Sequence, residues 1–292
     1  MRRKACARSW KGAPRCSRDA DPRNGYPMTI PSEHLLVIDG NNLVRRIHAA
    51  IKQEDPATQI AETLRSCRGS FRRARENHPH THAVAVFDAS GQNWRHRLYP
   101  QYKADRGPSP DGLADLMKSL RTELEAQRLR TVSVPDIEAD DAIAVLALRW
   151  QQRNRGAMTI LSTDKDLCAL LSPSVSVYDH FTNVNRDAAW VLARFGIEPG
   201  LIQDYLALVG DKTDNIPGVK GIGPVTAVKL LREFKSLQGI LESRSIQKVA
   251  RQVMRDREMA LVSQALVQFK TDVSIGLSWA DLRAGDGVGR DE

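Results

Sequence analysis

Leu35-Leu36-Val37-Ile38-Asp39 decides the fold: four apolar residues run into an acid, and Gly40-Asn41-Asn42 follows. So short and apolar a run reads as a strand buried on both faces, the habit of parallel sheets, rather than one alternating between core and water. The pattern recurs at Ala83-Val84-Ala85-Val86-Phe87-Asp88 and at Thr159-Ile160-Leu161, which runs through Ser162-Thr163 into Asp164-Lys165-Asp166. Thr131-Val132-Ser133-Val134 leads in the same way towards Glu138-Ala139-Asp140-Asp141, and residues 175–181 form a further strand candidate. Helical stretches at roughly 57–76, 113–128 and 138–153 lie between these runs. Strands separated by helices predict an α/β sheet of parallel strands, in which ligands bind beyond the strands' carboxyl ends. Asp39, Asp88 and Asp164 are therefore expected at one edge.

The rest of the chain divides by composition. Residues 1–33 mix charge, Pro and Gly, and lack the apolar stretch of a signal peptide, which predicts a disordered leader, with Met28 an alternative start. Residues 34–185 form the α/β domain, 186–275 a mainly helical region, and 276–292 lose their apolar period and are expected to be a flexible tail. No run reaches the roughly 18 apolar residues of a membrane helix. Cys6, Cys16, Cys67 and Cys168 lack C-x-x-C spacing and read as reduced thiols of a cytoplasmic protein. His78, His80 and His82 flank Pro79 and read as a loop leading into a strand rather than a metal cluster.

Acids gathered at strand ends contrast with a net charge of +8. Carboxylates crowd together at a cost unless something positive binds among them, and a basic chain suits a polyanion. Each acid alone has an ordinary reading: Asp39 as a turn residue or helix cap, Glu138, Asp140 and Asp141 as favourable charges at a helix start. Together with Asp164, Asp166, Asp211 and Asp214 they suit a pair of hard cations that stabilise phosphodiester displacement.

Two other stretches favour nucleic acid. Gly218-Val219-Lys220-Gly221-Ile222-Gly223-Pro224, entering Thr226-Ala227-Val228-Lys229, reads as a helix-hairpin-helix turn. Its glycines let backbone approach phosphate, the next helix offers free N–H groups, and Lys220 and Lys229 add charge. Residues 94–110 interleave aromatics with Arg95, Arg97, Lys103 and Arg106, a composition suited to unpaired bases and their phosphates, on a mobile segment over the sheet edge.

The order of Asp39-Gly-Asn-Asn, Asp88, Tyr102-Lys103-Ala-Asp-Arg106, Glu138-Ala-Asp140-Asp141, Thr163-Asp164-Lys-Asp166 and Gly210-Asp211-Lys-Thr-Asp214 resembles the bacterial 5′-nuclease family over residues 35–270. That family includes flap endonucleases, the 5′→3′ exonuclease domain of DNA polymerase I and stand-alone exonuclease IX-type proteins, the last being nearest. The resemblance implies a resolvase-like (PIN-like), mostly parallel sheet flanked by helices, a C-terminal helix-hairpin-helix region and an arch at about 89–112. It implies a first metal region of Asp39, Asp88, Glu138, Asp140 and Asp141, and a second of Asp164, Asp166, Asp211 and Asp214. Two Mg2+ ions would be held there, with Mn2+ able to substitute.

Lys103 and Arg106 would polarise the scissile phosphate, and Tyr102 would stack on a displaced base. Lys220, Gly221, Ile222, Gly223, Pro224, Thr226 and Lys229 would grip duplex DNA, and backbone oxygens of Leu208, Val209, Pro217, Val219 and Ile222 would hold K+. The implied protein is a monomeric bacterial enzyme working at the nucleoid on branched or 5′-flap DNA, in replication or repair, without a membrane. Two rival readings stand beside it: a nonenzymatic branched-DNA binding protein and a PIN-like ribonuclease.

Overall fold

A computed structural model of the chain describes residues 33–153 and 156–284. The expected leader and the alternative start at Met28 lie outside the described residues, and Glu33 already opens the first strand. The chain runs through β1 (Glu33–Asp39), α1 (Gly40–Ala50), α2 (Pro56–Asn77), β2 (His82–Val86), a short α3 (Trp94–Leu98), α4 (Leu113–Ala126) and β3 (Arg130–Val132). It then crosses back through α5 (Ala139–Arg153) to β4 (Gly156–Leu161), β5 (Val175–Asp179) and β6 (Val184–Arg186). Strand order is β3-β2-β1-β4-β5-β6, with every pair parallel except β5–β6. The resolvase-like, mostly parallel α/β fold is thus present, and the antiparallel edge strand is an addition to it. Asp179 makes that reversal: its carboxylate accepts the N–H groups of Phe181 and Thr182, and Asn183 takes a positive φ of 55°.

β1 is central, and its residues alternate between two cores. Leu35 and Val37 join the cluster that contains α5 and the helical region, while Leu36 and Ile38 face α1, α2 and α4. All four are fully buried. The chain leaves β1 towards β2 on one side and later returns to β4 on the other, so β1 is the topological switch point. α4 presents Leu113, Leu116, Leu120 and Leu124 at helical spacing to the second core. α5 is buried along most of its length, and its last turn carries Trp150, whose Nε1 donates to Ala157 O at 2.9 Å.

The helical region follows as α6 (Ala188–Phe195), α7 (Ile202–Val209), α8 (Pro224–Phe234), α9 (Leu237–Glu242), α10 (Lys248–Arg255) and α11 (Arg257–Val267). No helix of the described residues is long and apolar enough to cross a membrane.

The expected flexible tail requires correction over residues 276–284. Trp279 packs edge-on against Trp150 at 5.1 Å, Leu282 is 2% exposed, and Ala284 N–H donates to Thr81 O at 2.9 Å. Two anchoring side chains on a single turn are too few to produce a readable period, which is why composition alone suggested fraying. Residues 285–292 lie outside the described residues. Leu282→Ala should lower unfolding free energy by about 2–5 kcal/mol, as for a core leucine. Denaturant titration checks this, and a change within about 0.5 kcal/mol, typical of an exposed position, would contradict the packing.

Candidate active site

The carboxyl ends of β1, β2, β3 and β4 bring most of the expected acids to one edge. Asp39 ends β1 and caps α1, accepting Asn42 N–H at 3.0 Å, while Ser162 Oγ donates to its other oxygen at 2.7 Å. The cap and the site are therefore the same residue. Asp88, just past β2, accepts the N–H of Ala139 at 2.8 Å and a hydrogen bond from the Asn41 amide. Asp140 stands in the first turn of α5, and Asp164 accepts Asp166 N–H at 2.9 Å.

Charge in this group is unbalanced. Burial pushes Asp39 up to about 7, and the nearby Asp164 and Asp88 push in the same direction. Burial likewise raises Asp88, with Glu138 adding to it. Asp140 is raised well above the carboxylate range by burial and by Asp164, Asp39 and Glu138. Among the described residues, no Lys or Arg forms an ion pair with Asp39, Asp88, Asp140 or Asp164.

The remaining acids carry their own cations. Glu138 accepts Lys103 Nζ at 2.6 Å, Tyr102 OH at 3.0 Å and the Asn93 amide at 3.0 Å. Burial alone would raise Glu138; Lys103 and Arg95 overcome it and hold the carboxyl at about 2. Asp214 pairs with Arg106 at 2.5 Å and lies 3.6 Å from Lys103. Asp211 accepts Lys165 Nζ and, at 2.8 Å, the N–H of Thr213. Asp166 is pushed up to about 7 by burial and by Asp164, and its Oδ1 is buried without a hydrogen bond. A cleft of about 740 Å³ opens beside these groups, lined by Asn41, Arg45, Asp88, Lys103, Arg106 and Glu138 among others.

Three expectations are corrected. Asp141 does not join the metal set: it is fully buried, and both oxygens bind Arg95 at 2.7 Å. The same carboxylate accepts Trp94 Nε1, Glu138 N–H and Lys270 N–H. Arg95, placed by composition on a mobile nucleic-acid-binding segment, is 3% exposed and belongs to this structural ion pair. Tyr102 does not offer a stacking face, since it is 3% exposed and spends its hydroxyl on Glu138 and Asp214. The segment at 89–112 is thus anchored at its first half by α3 and by the turn that presents Lys103, whose φ is 55° and whose N–H donates to Asp214 O.

Sequence reasoning passed over Ser162, Asn41, Asn42 and Asn93. Each holds or neighbours an acid, as when Asn42 Oδ1 accepts Thr163 N–H at 3.0 Å. The adjacent asparagines after Asp39 were the available signal.

The hairpin residues lie between α7 and α8. Val219 N–H donates to Leu208 O at 2.8 Å, and Gly218 N–H donates to the buried Ser263 Oγ at 3.1 Å. Gly218, with φ 66°, has no room for a side chain: a Cβ would lie 2.5 Å from Gly210 N. Gly221 has φ 81° and open space before it, Pro224 begins α8, and Gly223 caps that helix without a side-chain bond. The first N–H groups of α8 therefore face outward uncapped, beside exposed Lys220 and Lys229.

Residues 34–196 match the N-terminal resolvase-like domain of 5′-3′ exonucleases, and residues 197–287 match the C-terminal SAM fold of the same proteins. The chain belongs to the 5′-3′ exonuclease family. It is 39% identical over 252 residues to a flap endonuclease Xni of Shewanella amazonensis, covering 85% of this chain and 97% of that one. In fold it is similar to zinc-bound T5 5′-exonuclease, with a TM-score of 0.63 at 22% identity over 80% of this chain and 89% of that chain. A T5 flap endonuclease product complex with DNA and metal ions aligns at a TM-score of 0.60 and 22% identity, over 80% and 89% of the two chains.

The donor set fits a divalent ion. All the oxygens are hard carboxylates, Asp166 Oδ1 lacks a hydrogen bond, Asp39 and Asp140 resist ionisation with no ion-paired partner, and burial keeps Asp166 raised even beside Lys165. Among the described residues, no three His, Cys, Asp or Glu side chains are grouped so as to hold a metal ion by themselves. Mg2+ does not need such a group, since it keeps waters and shares phosphate oxygens with its substrate.

The Arg95–Asp141 pair makes a separable prediction. Arg95→Met should cost about 3–5 kcal/mol of stability by stranding a buried carboxylate. Thermal or urea unfolding checks it, and a loss below about 1 kcal/mol, the level of an exposed pair, would overturn the structural role.

Proposed function

We propose that the chain is a structure-specific 5′→3′ exonuclease and 5′-flap endonuclease that hydrolyses DNA phosphodiesters with two divalent ions, Mg2+ in the first place. The observation that carries this reading is the group Asp39, Asp88, Asp140 and Asp164, gathered without a cationic partner beside a cleft that also holds Lys103 and Arg106. The name of the Shewanella relative and the DNA and metal ions of the T5 complex support it.

Asp39, Asp88 and Asp140, with Glu138, would hold one ion; Asp164, Asp166, Asp211 and Asp214 would hold the other. Bound there, the ions supply Lewis-acid stabilisation of the charge that develops on the attacking and leaving oxygens. Lys103 and Arg106 exchange their present partners, Glu138 and Asp214, for oxygens of the scissile phosphate. Their positive charge faces the cleft that Asp88 and Glu138 also line, so an incoming phosphate meets both signs of charge. Tyr102 positions this exchange from below by holding Glu138 and Asp214 through one hydroxyl. Cleavage leaves a 5′-phosphate and a 3′-hydroxyl.

The hairpin binds the adjoining duplex without reading sequence, since backbone N–H groups and lysines contact phosphate only. Lys220, Gly221, Ile222, Gly223, Pro224, Thr226 and Lys229 are its contact residues. Carbonyls of Leu208, Val209, Pro217, Val219 and Ile222 would hold a K+ ion there. Those of Leu208 and Val219 already accept one hydrogen bond each, leaving a second lone pair free.

A gel assay with labelled 5′-flap DNA and the matched RNA, in Mg2+ or EDTA, tests the reading. Mg2+-dependent cleavage of the DNA is expected, and Asp140→Asn or Asp164→Asn should reduce it by orders of magnitude while preserving binding. Binding without cleavage, or cleavage of RNA in preference to DNA, would refute it.

Lys103→Ala should slow single-turnover cleavage far more than Lys220→Ala. Lys220→Ala should weaken duplex affinity and reduce the salt slope by about 1. Equal effects of the two variants on both quantities would contradict the division of labour.

A further inference from the structure

Besides the structural Arg95, three cations stand among the acids: Lys103, Arg106 and Lys165. The first two come from the segment over the cleft and are assigned above to the phosphate. Lys165 has no part in that scheme. It lies in the turn between β4 and the helical turn Asp166–Leu170, directly between Asp164 and Asp166. Its ammonium is 2.5 Å from Asp211 Oδ2 and 3.3 Å from Asp166 Oδ1. That Asp166 oxygen is buried and accepts no hydrogen bond, so the ion pair is the compensation it has among the described residues. The Lys165 side chain is 38% exposed, which leaves it a route into solvent.

The other carboxylate group is arranged differently. Asp39, Asp88 and Asp140 have no ion-paired Lys or Arg among the described residues, and in that desolvated place their mutual repulsion is only partly offset by the more distant Lys103.

We infer that Lys165 is the resident counter-ion of the second carboxylate group and is displaced when a divalent ion enters it, so that the two metal sites fill in order, the Asp39–Asp88–Asp140 site first. The inference rests on the two-metal reading above. A monovalent ammonium neutralises part of what a divalent ion would neutralise, so an ion entering beside Asp166 and Asp211 must first break the Lys165 contacts. An ion seated among Asp39, Asp88 and Asp140 breaks no ion pair as long as Glu138 keeps Lys103. The acids on both sides are of similar kind, and each side touches a cation assigned to the phosphate, Lys103 on Glu138 and Arg106 on Asp214; what is particular to the second is Lys165. Lys165 thereby acts as a positioning residue that separates the two affinities, and it touches neither phosphate nor nucleophile.

Calorimetric titration of Mg2+ into the full chain without DNA tests this. The wild type should show two unequal classes of site. Lys165→Met should leave the tighter class unchanged and tighten the weaker one by roughly tenfold, an ordinary size for a coupling between neighbouring ligands. Lys165→Arg should keep the weaker class weak. Lys165→Gln, which retains a polar side chain, replaces the Met variant if that variant melts below the wild type, with the same result expected.

A weaker class that is unchanged or weakened in Lys165→Met and Lys165→Gln would overturn the inference while leaving the two-metal reading intact. Equal sites in the wild type would overturn the order of filling. Absence of any saturable Mg2+ binding would instead overturn the two-metal reading, together with the inference built on it.

Discussion

The buried Arg95–Asp141 pair joins parts of the chain that lie far apart in sequence. Arg95 Nε donates to Leu266 O at 2.8 Å and its Nη2 to Gln268 O at 3.1 Å, while Asp141 accepts Lys270 N–H at 2.8 Å. One ion pair thus fastens α3, the start of α5 and the end of α11 together. Because Glu138 N–H also donates to Asp141, the turn carrying Glu138 and Asp140 is held in register with the sheet edge. Such a pair contributes little net stability over an apolar equivalent, yet losing one partner is costly. Its value here is geometric, since it holds the turn that presents Glu138 and Asp140.

Around that anchor the structure separates acids that are balanced from acids that are not. Asn41, Ser162 and the N–H of Ala139 satisfy the hydrogen-bonding needs of Asp39 and Asp88 without supplying a positive charge. Lys103, Arg106 and Lys165 supply charge to Glu138, Asp214 and Asp211. Neutral donors orient a carboxylate and leave it available for a cation; a lysine or arginine must be moved aside. The first arrangement suits an ion's permanent seat, and the second suits groups that change partners when substrate arrives.

Much of this was legible in the sequence because it follows from short-range pattern. Apolar runs ending in Asp39, Asp88 and Asp164 marked parallel strands, and the parallel sheet then required their carboxyl ends to share an edge. The glycines at 218 and 221 marked a turn that takes positive φ at both. What was not legible depends on where a side chain points. Asp140 and Asp141 are adjacent and chemically identical, yet one is half-buried at the edge and the other fully enclosed by Arg95. The helical phase of α5, set by tertiary packing, decides between them. Arg95 likewise reads as one of several cations in a basic stretch until its partner across 46 residues is known. The packed turn at Trp279 and Leu282 was too brief to leave a period, and the edge strand β6 too short to stand out from its turn.

The central claim is that the unbalanced acids at the end of the central strands are the seat of a divalent ion. Anomalous diffraction from crystals of the full chain soaked in Mn2+ tests it most directly. A peak within coordinating distance of carboxylate oxygens from Asp39, Asp88 or Asp140 is the predicted result. Crystals that show Mn2+ only elsewhere, or none at that edge while the acids remain ordered, would contradict the account.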